Sequence, residues 1–303
     1  MQAADLAVAV EERGFDALFI PDHTHILASR LTPFTIGDEL PPDYSHNVDM
    51  FLALTAAAAV TKRIRLGTGI CLVVERDPII TAKEVASLDH ISGGRVDFGI
   101  GGGWNAEEMI ALASPPFDRR GKASDEYLAA FRTLWTSDTP TYTGEFVSFD
   151  NVIFEPKPFQ KPHPPIWVGG ESRPALRRTA ELGDGWNPIG ANPVFPMRTP
   201  EQLAAGIKML ATYARRFGRD PAEIEVIYRS PQYELRRDGH SATSPAGDHV
   251  SFTGDAAAVA SDIRRYEEMG VSQIVFDFNL LSPTLDGVLG HMEEFADQVW
   301  PKV

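Results

Sequence analysis

The side chain in this chain best suited to proton chemistry is a histidine just beyond the short apolar run Ala17–Ile20, in Pro21-Asp22-His23-Thr24-His25. An imidazole titrates near neutral pH and can give or take a proton. A loop histidine can equally serve as a local hydrogen-bonding group, and the segment alone leaves both readings open. Asp22, His23 and His25 together could suggest a metal. Their spacing suits no common catalytic zinc pattern and no second cluster accompanies them, so no metal is expected.

Glycines at the ends of other apolar runs form the second chemical feature. Gly67-Thr68-Gly69-Ile70 implies a bulge, a bend or a close backbone approach. Gly93-Gly94-Arg95 stops a helix, and Val96–Ile100 then leads into Gly101-Gly102-Gly103-Trp104-Asn105. A turn without Cβ atoms lets a flat or phosphorylated ligand reach the backbone, although it could be a plain connector. Gly169-Gly170-Glu171-Ser172-Arg173 leads directly into a helix. Amides, helix dipole, hydroxyl and cation converge there as in an anion site, while Ser172 also suits an N-cap. Asn187 brings a further polar group to a strand end. Three such ends imply a planar phosphorylated cofactor. No strand–GxGxxG–helix unit supports a Rossmann site, and there is no Walker A sequence.

These residues need a scaffold that gathers strand ends. Apolar spacing of three and four predicts helices near Ala3–Arg13, Asp49–Thr61, Ile79–Ser92, Ser124–Thr136, Arg173–Leu182, Pro200–Phe217, Ala256–Met269 and Thr284–Trp300. Between them lie Ala17–Ile20, Ile64–Leu72, Val96–Ile100, Ile166–Val168, Gly185–Pro188, Ile224–Tyr228 and Gln273–Phe278. Near-continuous apolar strands alternating with amphipathic helices predict a parallel sheet and a (β/α)8 TIM barrel, with functional groups at the strands' carboxyl ends. Thr141–Phe154 reads as a hairpin within an insertion at 137–165, in a single domain spanning 1–303. The chain opens on a helix, so either the barrel is open or a first strand is missing; the expectation is the second, with about ten more N-terminal residues in the native protein.

The formal charge of −14 disfavours nucleic acid and anionic membrane as partners. The lone Cys71 excludes an internal disulfide and a cysteine-based zinc cluster. Met50–Val60 is too short to span a membrane, and the amphipathic acidic N-terminus is no signal peptide. A cytoplasmic protein is expected. Glu107, Glu108, Arg119 and Arg120 are either solvated charges or rim contacts to a cofactor tail, and are read as solvated.

Taken together, Glu12-Arg13-Gly14-Phe15-Asp16-Ala17 into Pro21-Asp22-His23, Leu66–Ile70, Leu88–Arg95 into Gly99–Glu108, Lys157-Pro158, Pro162–Gly170 and Leu182–Trp186 resemble the bacterial luciferase-like monooxygenase superfamily. They look most like its coenzyme F420-dependent (deazaflavin) oxidoreductases. The resemblance implies a (β/α)8 barrel that binds F420, or alternatively FMN, at the carboxyl face. It implies that Gly69–Ile70, often a non-prolyl cis peptide, supports one ring face. It further implies that Asp22, Gly101, Gly102, Gly103 and Trp104 line the cofactor, that Gly169, Gly170 and Ser172 hold its phosphate, and that His23 acts near the hydride-bearing carbon. Two departures exclude carrying over the sugar-phosphate reaction of some members. Trp104 stands where those enzymes have a glutamate acid, and Leu27 stands where they have a tryptophan.

The expected activity is hydride transfer to or from a small organic substrate, roofed by Ile26–Asn47 and Ala191–Thr199. The alternatives are an FMN-dependent monooxygenase supplied by a separate reductase and a non-catalytic flavin-binding protein. The resemblance also implies a homodimer.

Overall fold

A computed structural model of the chain describes residues 3–34, 40, 42–236, 240–243, 247 and 249–303. It divides into two compact units, Met1–Glu11 with Phe15–Val168, and Glu12–Gly14 with Gly169–Val303.

The first unit alternates helices and parallel strands: α1 (Ala3–Glu12), β1 (Ala17–Ile20), α2 (Met50–Val60), β2 (Arg65–Thr68), β3 (Cys71–Leu72), α3 (Pro78–Ser92) and β4 (Val96–Gly101). It continues with α4 (Ala106–Ala111), α5 (Arg120–Thr136), the short antiparallel pair β5 (Tyr142–Thr143) and β6 (Ser148–Phe149), and β7 (Ile166–Gly169). The order β1-β2-β4-β7 is parallel throughout, with β3 beside the end of β4. All four carboxyl ends therefore open on one edge.

Local chemistry sets the helix limits. Asp49 caps α2 by accepting from Leu52 N at 2.9 Å. Asp77 caps α3 by accepting from Ile79 N and Ile80 N, with Pro78 in the first turn. Gly93 ends α3 at φ 68°, the left-handed conformation that a Cβ disfavours. The Arg95 guanidinium then donates to Ala58 O, Thr61 O and Ile64 O, tying the end of α2 to the start of β4. Leu66, Phe98, Phe131, Leu134, Trp135 and Ile166 are buried between the sheet and its helices.

The second unit holds α6 (Arg173–Leu182), β8 (Gly185–Asn187), α7 (Pro200–Arg216), β9 (Glu225–Ser230), the pair β10 (Glu234–Leu235) and β11 (Thr253–Gly254), α8 (Ala256–Glu268), β12 (Gln273–Phe276) and α9 (Leu285–Gln298). Strands β8, β9 and β12 are parallel neighbours in that order. Its core gathers Leu176, Trp186, Leu203, Leu210, Tyr228, Phe252 and Tyr266.

The helices and strands agree with the apolar periodicity, and differences fall where periodicity is weak. The expected single run Ile64–Leu72 is broken in two. Helix α5 begins at Arg120 rather than Ser124, because a 3-10 turn over Phe117–Arg119 runs straight into it. The expected hairpin is present as β5–β6, while α4 and the pair β10–β11 are too short to show a period. Among the described residues no helix is long and apolar enough to cross a membrane.

Candidate functional site

At the end of β1, Asp22 is buried and its carboxylate is fully engaged by the protein. Its Oδ2 accepts from Leu72 N at 3.0 Å and Arg76 Nε at 2.8 Å, and Oδ1 accepts from the other arm of the guanidinium at 2.7 Å. This bidentate pair joins the β1 end to the turn that follows β3. It leaves Asp22, expected against a cofactor, holding the scaffold in place.

The interruption between β2 and β3 is a bulge. Gly67 faces Asp97 and Cys71 faces Ile100, four steps on one strand against three on the other. The extra residue lies at Gly69–Ile70, and that peptide bond is cis. The Ile70 side chain extends over β4, where a Cβ at Gly101 would collide with its Cδ1. The absence of a side chain at Gly101 thus makes room for Ile70. Gly102 differs, since the nearest atom to a Cβ there would be Ser124 Oγ at 3.5 Å. Gly103 has φ +74°, and a Cβ there would lie 2.7 Å from Glu75 Oε1.

The turn through Trp104 and Asn105 opens α4, which carries Glu108 inward. Glu108 is wholly buried. It lies 2.8 Å from His23 Nδ1 through Oε2 and accepts from Thr24 N at 2.9 Å through Oε1. A carboxylate there selects the tautomer with the proton on Nδ1. The opposite nitrogen, Nε2, accepts from Trp104 Nε1 at a long 3.4 Å. His23 therefore presents a weakly engaged basic nitrogen beside Trp104, held from behind by a buried carboxylate. The expectation that Glu108 is solvated is overturned, while Glu107 is half-exposed and hydrogen-bonded. Glu107 accepts from Leu31 N at 2.7 Å, Thr32 N at 2.9 Å and the Thr32 hydroxyl. Those bonds, the hydroxyl first, hold its carboxyl down at about 2. Arg119 does pair with the exposed Glu145, and Arg120 donates to Phe117 O at 2.7 Å.

A second buried acid stands behind Glu108. Burial, then the Glu108 and Asp22 carboxylates, push the Glu75 carboxyl up to about 9. Glu75 holds its proton at neutral pH because two like charges cannot both be kept in so dry a place.

Aromatic rings surround the histidine. Tyr44 and Trp104 lie 5.4 and 5.9 Å from its ring centre, and buried Phe34 packs edge-on against both. The Arg30 guanidinium lies 5.4 Å from the Trp104 ring centre. Tyr44 and Phe34 belong to the expected roof Ile26–Asn47, of which residues 35–39 and 41 lie outside the described ones. Next to Trp104, the side chain of Asn105 is fully buried with neither Oδ1 nor Nδ2 hydrogen-bonded. A buried primary amide with no partners is costly, and a planar ring edged with carbonyl and N–H groups offers what it lacks. The residues present thus fit a flavin or deazaflavin ring.

In the second unit, Ser172 caps α6 by accepting from Ala175 N at 3.3 Å. Its hydroxyl proton stays available to a ligand. A Cβ at Gly170 would lie 3.1 Å from the Ala175 methyl, and Gly170 O accepts from Trp186 Nε1 at 2.9 Å. Gly169 ends β7 half-exposed. Between Gly170 and Ser172, Glu171 is buried, and burial raises its pKa. It accepts from Ile189 N at 2.7 Å and from the Asn192 amide, fastening the start of the expected lid Ala191–Thr199.

The site residues that motif reading missed are Glu75, Glu108 and Asn105. Glu108 carried a signal in its place four residues after Trp104, in the first turn of α4, whereas nothing local distinguishes Glu75. Among the described residues no group of three or more His, Cys, Asp or Glu side chains is arranged to hold a metal.

Residues 1–238 match the family model described as luciferase-like monooxygenase. An uncharacterized protein of Mycobacterium tuberculosis (strain ATCC 25618 / H37Rv) is 44% identical over 187 residues, which is 60% of this chain and 66% of that protein, slightly under two thirds of its length. An FMNH(2)-dependent dimethylsulfone monooxygenase of Pseudomonas putida is 33% identical over 131 residues, 43% of this chain and 36% of the other. Among solved structures, the coenzyme F420-dependent tetrahydromethanopterin reductase of Methanopyrus kandleri superposes with a TM-score of 0.76 at 20% identity, covering 99% of this chain and 94% of that one. With its parallel strands and flanking helices, the chain has the fold of these α/β barrels and belongs to the luciferase-like monooxygenase family.

Proposed function

We propose that this protein is an oxidoreductase that uses the deazaflavin coenzyme F420 to move a hydride to or from a small organic substrate. The observation that carries the reading is the Glu108–His23–Trp104 arrangement, with a buried carboxylate fixing one imidazole nitrogen and leaving the other to exchange a proton. When bound, the deazaflavin supplies a carbon that accepts or releases a hydride, which leaves a proton to be handled by the protein. His23 Nε2 takes that proton from a substrate hydroxyl, or returns it to a carbonyl oxygen, while Glu108 stabilises the imidazolium. Trp104, Tyr44 and Phe34 exclude water from the histidine and offer flat apolar faces to ring and substrate. Gly69–Ile70, Gly101, Gly102, Gly103, Trp104 and Asn105 would hold the ring. Gly169, Gly170 and Ser172 form a separately testable phosphate contact, whose loss in Ser172→Ala is expected to weaken cofactor binding.

A second reading, an FMN-dependent monooxygenase fed by a separate reductase, is favoured by the match to the dimethylsulfone monooxygenase. A fluorescence titration of the purified protein with F420 and, separately, with FMN decides between them. Micromolar binding of F420 with little FMN binding supports the deazaflavin reading. A preference for FMN replaces it with the monooxygenase, and binding of neither overturns both.

A further inference from the structure

A surface cavity of about 420 Å³ lies in the first unit, lined in part by Glu75, Arg76, Ser114, Tyr127 and Phe146. Its rim includes the exposed Ile79 and Leu112, so it reaches solvent. Glu75 has two faces: it lines this cavity, and its turn, Val73–Glu75, packs against α4, where the Glu108 carboxylate lies near enough to raise its pKa and in turn holds His23 Nδ1. As a carboxylate, Glu75 would bury Oε1 with no donor at all. As an acid, it can donate its proton to Glu108. Ser114, also on the cavity wall, has a buried hydroxyl without a partner.

We infer that Glu75 is a proton-relay residue, connecting His23 through Glu108 to solvent in this cavity while the opposite face of the histidine is closed by substrate. The inference rests on the reading of His23 as the proton-transferring group. In the sense of substrate oxidation, His23 Nε2 takes the substrate proton and its Nδ1 proton passes to Glu108. Glu108 passes a proton to Glu75, and the original Glu75 proton leaves to cavity water. Each protein group gives one proton and takes one, so no new charge is stranded in the interior. Once the substrate face is open, Nε2 gives its proton to water there and the path returns a proton from the cavity to Nδ1, and reduction runs the transfer in reverse. The charged groups facing Glu75 and its partners are Asp22, Arg76 and Glu108, with Asp49 and Glu84 beyond the guanidinium. Asp22 has both oxygens engaged by Arg76 and Leu72 N, which leaves Glu108 as the acceptor for the Glu75 proton.

The test uses the cofactor-free full chain. The infrared spectrum at neutral pH is expected to contain the carbonyl stretch of a buried protonated carboxylic acid, lost in Glu75→Gln. Nitrogen-labelled histidine gives the solvent-exchange rate of the His23 Nδ1 proton by NMR, expected to fall at least about tenfold in Glu75→Gln. Ser114→Leu, which fills the cavity and keeps the acid, is expected to retain the infrared band and slow the exchange as well. A band that survives Glu75→Gln overturns the assignment. So does an exchange rate unchanged in either variant, and Ser114→Leu keeps the test open should Glu75→Gln fold poorly. A protein that binds neither F420 nor FMN would sink the functional reading while leaving these measurements standing, so the two failures are distinguishable.

Discussion

At the residue scale, the site is a problem in burying acids. Asp22, Glu75 and Glu108 are all buried side chains, and each is accommodated differently. Asp22 is paired with Arg76, Glu108 receives His23 and Thr24, and Glu75 keeps its proton. Replacing His23 with Ala should lower turnover about 10²- to 10⁴-fold while cofactor affinity stays near that of the parent. Steady-state rates beside a binding titration check this, and undiminished turnover would remove His23 from the chemistry. The neutral acid also predicts a pH dependence of stability. In the unfolded chain Glu75 ionises near 4.5 and in the fold near 9, so unfolding releases a proton between those values. The contribution of neutral Glu75 is whole below the lower value and is lost as pH rises toward the upper one. Glu75→Gln should remove this part of the slope. Urea melts from pH about 5 to about 9 test it, and identical slopes in parent and variant would contradict the assignment.

At the element scale, three turns do the positioning. The β1 end supplies His23, the bulge between β2 and β3 brings Ile70 over β4, and the turn after β4 sets the angle at which α4 delivers Glu108. Gly103 is the tightest joint of the third. Its φ of +74° disfavours any L side chain, and its Cα faces Glu75. Gly103→Ala is expected to cost about 1–2 kcal/mol of stability from the backbone alone. Displacement of the Glu75 carboxyl should add to that cost. Chemical denaturation gives the number, and a variant as stable as the parent would mean that the turn readily adopts another conformation. Gly101→Ala should act through a different contact, by pushing Ile70 off β4.

At the scale of the whole molecule, charge and chain order matter most. A chain of formal charge −14 repels a phosphorylated cofactor at long range, so added salt should speed its association by screening. Stopped-flow fluorescence at rising ionic strength measures this. An association rate that falls with salt would reveal a local basic field strong enough to reverse the global one.

The order of helices and strands, the glycine turns, the bulge and the placing of His23 at a strand end were legible in the sequence, because each depends on near neighbours in the chain. Apolar period reports which face of an element is buried, and glycine and capping residues report where it stops. What surrounds His23 was not legible. Glu108 lies 85 residues from it along the chain, in a helix of six residues that is too short to show a period. A glutamate read in isolation is expected in water, and only tertiary packing decided that Glu75 and Glu108 are inside. The proton on Glu75 follows from that enclosure, since it is set by lost solvent and by a neighbouring charge brought close through folding, neither of which is encoded in its own segment.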